Sequence, residues 1–169
     1  MSLLTPTPTA ATVDSRHFRH ALSQFATGVT VITAVAADAS MLGVTATSFN
    51  SVSLQPPLVL WSLGAQASSM AAFTACSHYV INILAADQAE LANRFASKLA
   101  NRFDGVEFAL SDNGQPILAN SVGWFECSNR SRYPEGDHVI FVGQVVRCEF
   151  VNKAPLVFHA GSYASTVPL

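Results

Sequence analysis

The sequence predicts a mainly β fold: a set of antiparallel strands, closed or split into a barrel, with a few short helices. Three observations lead there. Six or seven β-branched or apolar runs succeed one another with turn signals between them. The helical signals are short and do not alternate regularly with the strands, which disfavours a doubly wound parallel sheet. Half of the 169 residues are hydrophobic and only 12% are charged, against about a quarter in an ordinary soluble chain. Such a chain has a large core and apolar surface left over for a second subunit or a ligand.

The elements follow in order. Met1 to Val13 (MSLLTPTPTAATV) reads as a flexible tail, since it lacks the basic and long apolar regions of a signal peptide. One domain is expected over 14–169. Asp14 or Ser15 opens a helix with Phe18, Leu22 and Phe25 on one face, and Gly28 stands where it would end. Val29 to Ala36 is β-branched and reads as a strand, turning at residues 37–40 into a second strand, Leu42 to Phe49. Pro56-Pro57 punctuates before an apolar strand, Leu58 to Leu63, in which Trp61 is expected in the core. Ser68-Ser69 would cap a short helix, Met70 to Cys76, and Tyr79 to Leu84 is again a strand. Asp87-Gln88-Ala89-Glu90 has a capping-box pattern with Asp at the cap, opening a helix to about Phe95. Residues 98–120 are mixed, with turns at Asp104-Gly105 and Asp112-Asn113-Gly114. Val122 to Arg132 and His138 to Phe150 are long strands joined by a turn-rich link, and Leu156 to His159 is a last short one.

Whole function classes drop out. The net charge is −2 and no Lys/Arg run occurs, so the concentrated basic footprint of a nucleic-acid binder is missing. No apolar stretch approaches the roughly 18 residues of a membrane span. Cys76, Cys127 and Cys148 are odd in number and far apart, which argues against a disulfide framework or zinc site and for a reducing cytoplasm. No G-x-G-x-x-G, Walker A or G-x-S-x-G motif is present. His17 and His20 lack a carboxylate or thiolate at ligand spacing, so they read as a solvated helix face and no metal is expected.

Three signals point to a small-molecule site. In Gly43-Val44-Thr45-Ala46-Thr47-Ser48-Phe49, small side chains let the backbone approach a flat ligand and read its polar edge; ordinary barrel packing is the alternative. Ser68-Ser69 at a helix start offers hydroxyls and free N–H groups to a phosphate; a plain cap is the alternative. In Gly136-Asp137-His138 the Asp can orient an imidazole suited to proton donation near neutral pH; an Asp capping its own turn is the alternative.

Taken together, Phe18-Arg19-His20-Ala21-Leu22, Phe25-Ala26-Thr27-Gly28-Val29-Thr30-Val31, the 43–49 segment, Ser51 to Leu60, Val80-Ile81-Asn82-Ile83-Leu84, Gly136-Asp137-His138 and Gly161-Ser162-Tyr163 resemble the flavin reductase family that serves two-component flavin-dependent monooxygenases. The likeness spans roughly residues 14 to 164. It implies a split β-barrel of the FMN-binding type, a homodimer, with FMN or FAD near the subunit interface. NADH, or NADPH, would reduce the flavin, which would leave for the partner oxygenase. By the same resemblance Met41, Leu42, Gly43, Val44 and Thr45, with Thr47 and Ser48, line the isoalloxazine ring, and Ser62, Leu63 and Gly64 continue that wall. Ser68, Ser69 and Arg94 hold the phosphate. Phe158, His159, Ala160 and Gly161, with His138 and Tyr163, lie on the nicotinamide side, His138 as the catalytic residue. Family members often carry a basic residue where Ala65-Gln66-Ala67 stands here, so Arg94, Lys98 or Arg102 would supply the positive charge. A non-catalytic flavin- or haem-binding split barrel is the competing reading, and a relative of the pyridoxamine phosphate oxidases a third.

Overall fold

The computed structural model describes residues 13–167, so the expected tail falls, apart from Val13, outside them. Helix α1 (Ser15–Ser23) opens on Asp14, whose carboxylate accepts from the His17 N–H at 2.8 Å. It ends at Gln24 rather than at Gly28, which instead belongs to a two-residue strand β1 (Thr27–Gly28). Strands β2 (Thr30–Val35) and β3 (Met41–Ala46) form the first hairpin. The run expected to continue to Phe49 stops at Ala46; after a turn a separate strand β4 (Asn50–Leu54) pairs with β5 (Pro57–Gly64). Helix α2 (Met70–Ala75), β6 (His78–Ile83) and α3 (Ala89–Ala96) follow, then a small hairpin of β7 (Phe108–Leu110) and β8 (Pro116–Leu118). The long strands β9 (Gly123–Glu135) and β10 (His138–Phe150) lead to a last hairpin, β11 (Val157–His159) and β12 (Ser162–Ala164).

The fold is mainly β. Seven strands form one antiparallel sheet in the order β3-β2-β6-β9-β10-β5-β4, and a second sheet runs β1-β11-β12. Among the described residues no ladder joins the end strands β3 and β4, so the large sheet is not closed by backbone pairing. A side chain acts at the seam instead. Ser48, just beyond β3, accepts from the Ser62 N–H at 2.9 Å and donates to the Ser62 carbonyl at 3.3 Å.

The inner face of the sheet gathers one cluster from six of its strands, from Ala46 of β3 to Trp61 and Leu63 of β5. Trp61 is wholly buried at its centre, stacked on Phe141 with centroids 4.6 Å apart and meeting Phe73 and Tyr79 edge-on at 5.2 and 5.7 Å. The outer face is covered by α3 and the two small hairpins over a second cluster, with Val29, Val31, Phe95, Phe103 and Leu118. Polar side chains stitch that cover down. Asn82, fully buried, donates to the Val31 carbonyl and the Thr33 hydroxyl and accepts from the Leu118 N–H. Glu126, also buried, accepts from Ser111 and from both N–H groups of Asn113, pinning the β7–β8 turn. Buried polar groups so satisfied fix the cover in one register.

Candidate functional site

The antiparallel hydrogen-bond alternation turns β3 into a reading edge. The Ala36 N–H bonds the Ser40 carbonyl at 2.8 Å at the hairpin turn. From there every second pair exchanges bonds, so Ala34 with Leu42, Ile32 with Val44 and Thr30 with Ala46 are the bonded pairs of the β2–β3 register. The N–H and C=O groups of Met41, Gly43 and Thr45 therefore point away from β2. Because β3 ends the sheet, they face no further strand.

The side chains of β3 serve packing. Leu42 and Val44 join the inner cluster. Gly43 lies directly on Phe95, whose ring would collide with any Cβ at this position, so only glycine lets strand and helix approach this closely. Thr45 donates its hydroxyl to the Ala92 carbonyl of α3 at 2.6 Å, which makes it a tether; what it offers a ligand is its backbone.

Beside this edge opens a groove of about 650 Å³ lined by Met41, Leu42 and Gly43, by Gln66 to Ser69, and by Lys98, Leu99, Ala100 and Arg102. That volume suits a cofactor-sized ligand. The expected helix N-terminus contributes less than its serines. Helix α2 has six residues, and Ser69, at its cap position, makes no capping bond with its side chain. The hydroxyl is left for the groove. Arg102 donates Nη1 to the Gly43 carbonyl at 2.8 Å, while its Nε is sealed without a hydrogen-bond partner. Lys98 is exposed at the rim.

Arg94 is not brought to the serines. It donates to the Asp104 carbonyl at 2.8 Å and lines a different cleft, with Asp87, Glu90 and Glu107. The cap of α3 also differs from expectation: it is Gln88, whose side chain accepts from the Ala85 N–H and donates to the Ala119 carbonyl, so Asp87 does not close a capping box. Thr47 and Ser48 line a smaller hollow of about 400 Å³ with Phe25 to Gly28, Phe49, Asn50 and Leu60. Ser62 meets Ser48 across the seam, Leu63 is buried in the inner cluster, and Gly64 faces His138 in the β5–β10 register.

His138 stands at the start of β10, half exposed, with Nδ1 2.7 Å from a carboxylate oxygen of Asp137. That bond first, then the attraction of the imidazole and, more weakly, of Arg19 on α1, hold the Asp137 carboxyl below its ordinary value. The β11–β12 hairpin turns through Ala160 and Gly161, both at positive φ (49° and 82°), a turn that glycine takes freely and alanine seldom does. Its tip is tied to α1 by the Ala160 N–H on the Ser23 carbonyl, and Tyr163 reaches Asn93 of α3 at 3.1 Å. Phe158 packs edge-on against Tyr163, while His159 is exposed. The hairpin tip is thus bonded to α1, and among the described residues it shares no hydrogen bond with Asp137 or His138.

The residues fit a flat heterocycle carrying a phosphate: an unpaired strand edge for the ring, and hydroxyls with a cation for the anion. The class is an antiparallel β-sheet protein with a cofactor-sized groove beside an unpaired edge strand. Comparison with known proteins makes it specific. Residues 22–166 match the flavin reductase like domain, and the chain belongs to that family. It is 41% identical over 150 residues to the FMN reductase (NADH) SmoA of Agrobacterium fabrum, covering 89% of this chain and 85% of that protein. It is 35% identical over 162 residues to HsaB, the reductase subunit of a flavin-dependent monooxygenase of Mycobacterium tuberculosis, covering 94% and 86%. The NADH:FAD oxidoreductase SgcE6 of Streptomyces globisporus, solved with NAD and FAD fragments, superposes with a TM-score of 0.87 at 35% identity over 94% of this chain and 98% of that one.

Proposed function

We propose that the protein is an NAD(P)H-dependent flavin reductase, which takes hydride from NADH onto FMN or FAD as a substrate and releases reduced flavin to a partner monooxygenase. The observation that carries this reading is the unpaired edge of β3 beside a groove that holds Ser68, Ser69 and Lys98. The names of the relatives support the chemistry: an NADH-dependent FMN reductase and the reductase subunit of a monooxygenase.

Flavin and nicotinamide supply the redox chemistry between themselves, so the protein needs no nucleophile and no metal. Its own residues do the positioning. The N–H groups of Met41, Gly43 and Thr45 and the C=O groups of Met41 and Thr45 take the polar edge of the ring, the Gly43 carbonyl being held by Arg102. Leu42, Val44 and the Thr47–Ser48 turn shape the wall. Ser68, Ser69 and Lys98 hold the phosphate. Arg94, bonded to the Asp104 carbonyl in a separate cleft, has no place in that phosphate site. His138, oriented by Asp137, and the Phe158–Gly161 tip with Tyr163 bind the nicotinamide.

The protein is a cytoplasmic homodimer in this reading, a single domain over 14–169. Supporting the dimer, α1 buries none of its residues and leaves Phe18 and Leu22 more than half exposed, with Phe25 beyond it 75% exposed. The inner cluster reaching from β3 round to β5, with Ser48 bridging to Ser62, supports a split barrel. Among the described residues no helix is long and apolar enough to cross a membrane.

The test is NADH oxidation by the purified protein with and without free FMN. Turnover that rises and saturates with added FMN is expected. A bound yellow cofactor without turnover would make the protein a carrier, and absence of flavin binding would end the reading.

A further inference from the structure

Two cations border the groove, and their surroundings differ. Lys98 is exposed and holds no hydrogen bond from its side chain among the described residues, so its ammonium is free to follow an anion. Arg102 is half-buried; its Nη1 is committed to the Gly43 carbonyl and its Nε is sealed from solvent. The next residue, Phe103, sits in the outer cluster against Phe95 with ring centroids 5.0 Å apart. Both ends of this contact are therefore anchored on one phenylalanine, since Phe95 also lies under Gly43.

The carbonyl that Arg102 takes belongs to the unpaired edge of β3. An edge strand held by one neighbour alone can bend or slip. Gly43 and Thr33 are a non-bonded pair, so the Gly43 carbonyl itself has no partner on β2, which holds that peptide only from its other side, through the Val44 N–H. A guanidinium supplies a rigid planar donor at that point, with a stronger hydrogen bond than a neutral group gives. We infer that Arg102 is a positioning residue for the flavin ring: it fixes the Gly43 peptide so that the β3 edge is preformed, while Lys98 serves the phosphate. This rests on the flavin reductase reading and divides its site into a ring half and a phosphate half.

Riboflavin, which has the ring without the phosphate, separates the two roles. Kd values for riboflavin and FMN are measured by fluorescence quenching in the wild type, Arg102→Met and Lys98→Met, with a melting curve for each. Arg102→Met is expected to weaken both flavins equally, by about tenfold, the loss that one charge-assisted hydrogen bond carries. Lys98→Met is expected to weaken FMN by several-fold and leave riboflavin unchanged. Arg102→Lys, which keeps the charge but replaces the planar fork by an ammonium on a flexible stem, is carried in parallel in case the methionine variant does not fold; partial recovery in equal proportion for both flavins is expected. Weakening of FMN alone by either Arg102 variant would make it a phosphate ligand and overturn the inference, as would unchanged affinities for both. Wild-type protein that binds neither flavin would instead overturn the underlying reading.

Discussion

The two faces of the large sheet are both packed with phenylalanines, yet they do different work. On the inner face Trp61, Phe73, Tyr79 and Phe141 form a sealed aromatic knot contributed mostly by the middle of the sheet. None of these four lines the groove beside β3. On the outer face Phe95 and Phe103 are also buried, but the first supports Gly43 and the second fixes the chain at Arg102, both of which do line it. The inner aromatic knot stays clear of the groove, which the inner cluster reaches only through Leu42 and Ala67 at its margin; the outer pair stands directly behind groove-lining residues. Function here depends on how closely a helix can approach the back of an edge strand.

The sharpest way to break this contrast is to empty the inner knot. Trp61→Ala is expected to cost about 3–5 kcal/mol, by loss of burial and an incompletely collapsed cavity. Denaturant unfolding measures it, and the Kd of the folded fraction for FMN should stay within twofold. A large loss of affinity with little loss of stability would merge the two regions into one.

Gly43→Ala attacks the outer region. Its methyl would enter the Phe95 ring, so strand or ring must move, at about 1–3 kcal/mol. Here the FMN KM should rise together with the loss in stability. Phe95→Leu in the same chain makes room, so the double variant should be less impaired than the sum of the singles, a coupling expected of residues in contact.

Smaller effects separate site from scaffold. Ser69→Ala should raise the FMN KM several-fold more than it lowers kcat, because phosphate binding is shared by ground and transition states. Its unfolding free energy should move by no more than about 0.5 kcal/mol. Replacing His138 by Ala should impair the NADH half-reaction and leave the Kd for FMN unchanged; equal losses in both would contradict its place on the nicotinamide side.

The smallest effect concerns thiols. Burial pushes the Cys127 thiol up to about 12, and also raises that of Cys76, while Cys148 is exposed. The thiolate is the reactive form, so a thiol reagent at pH 8 should label Cys148 fast and the other two slowly. Raised thiol values also mean that Cys127 stays neutral in the folded protein throughout the neutral range. Its ionisation weighs against the fold only at a pH above the ordinary thiol value of 9.0.

Much of this was legible in the residues. The β-branched runs marked β2, β5, β6, β9 and β10, and Asp14 marked the start of α1. Of the strands of three residues only β11 was, marked by Leu156 to His159; β7, β8 and β12 are too short to show a period. Strand β4 (NSVSL) hid behind its hydroxyls, and Gly28 looked like a helix stop because nothing local shows that it pairs with Val157. In the candidate site, Met41 to Gly43 and the serine pair line one groove. Arg94 went elsewhere because its place is set by the turn of α3 against the Asp104 carbonyl, a contact ten residues away that no spacing rule encodes. That Thr45 would spend its hydroxyl on Ala92, leaving its backbone for the ligand, depends on which face of β3 meets α3. The alternation of bonded pairs decides this, and it becomes visible only with the register.

The most direct test is a crystal structure of the protein soaked with FMN. The expected result is the ring along the Met41–Thr45 edge, with the phosphate among Ser68, Ser69 and Lys98. A phosphate seated instead in the cleft of Asp87, Glu90 and Arg94, with the β3 edge untouched, would contradict the assignment of the site.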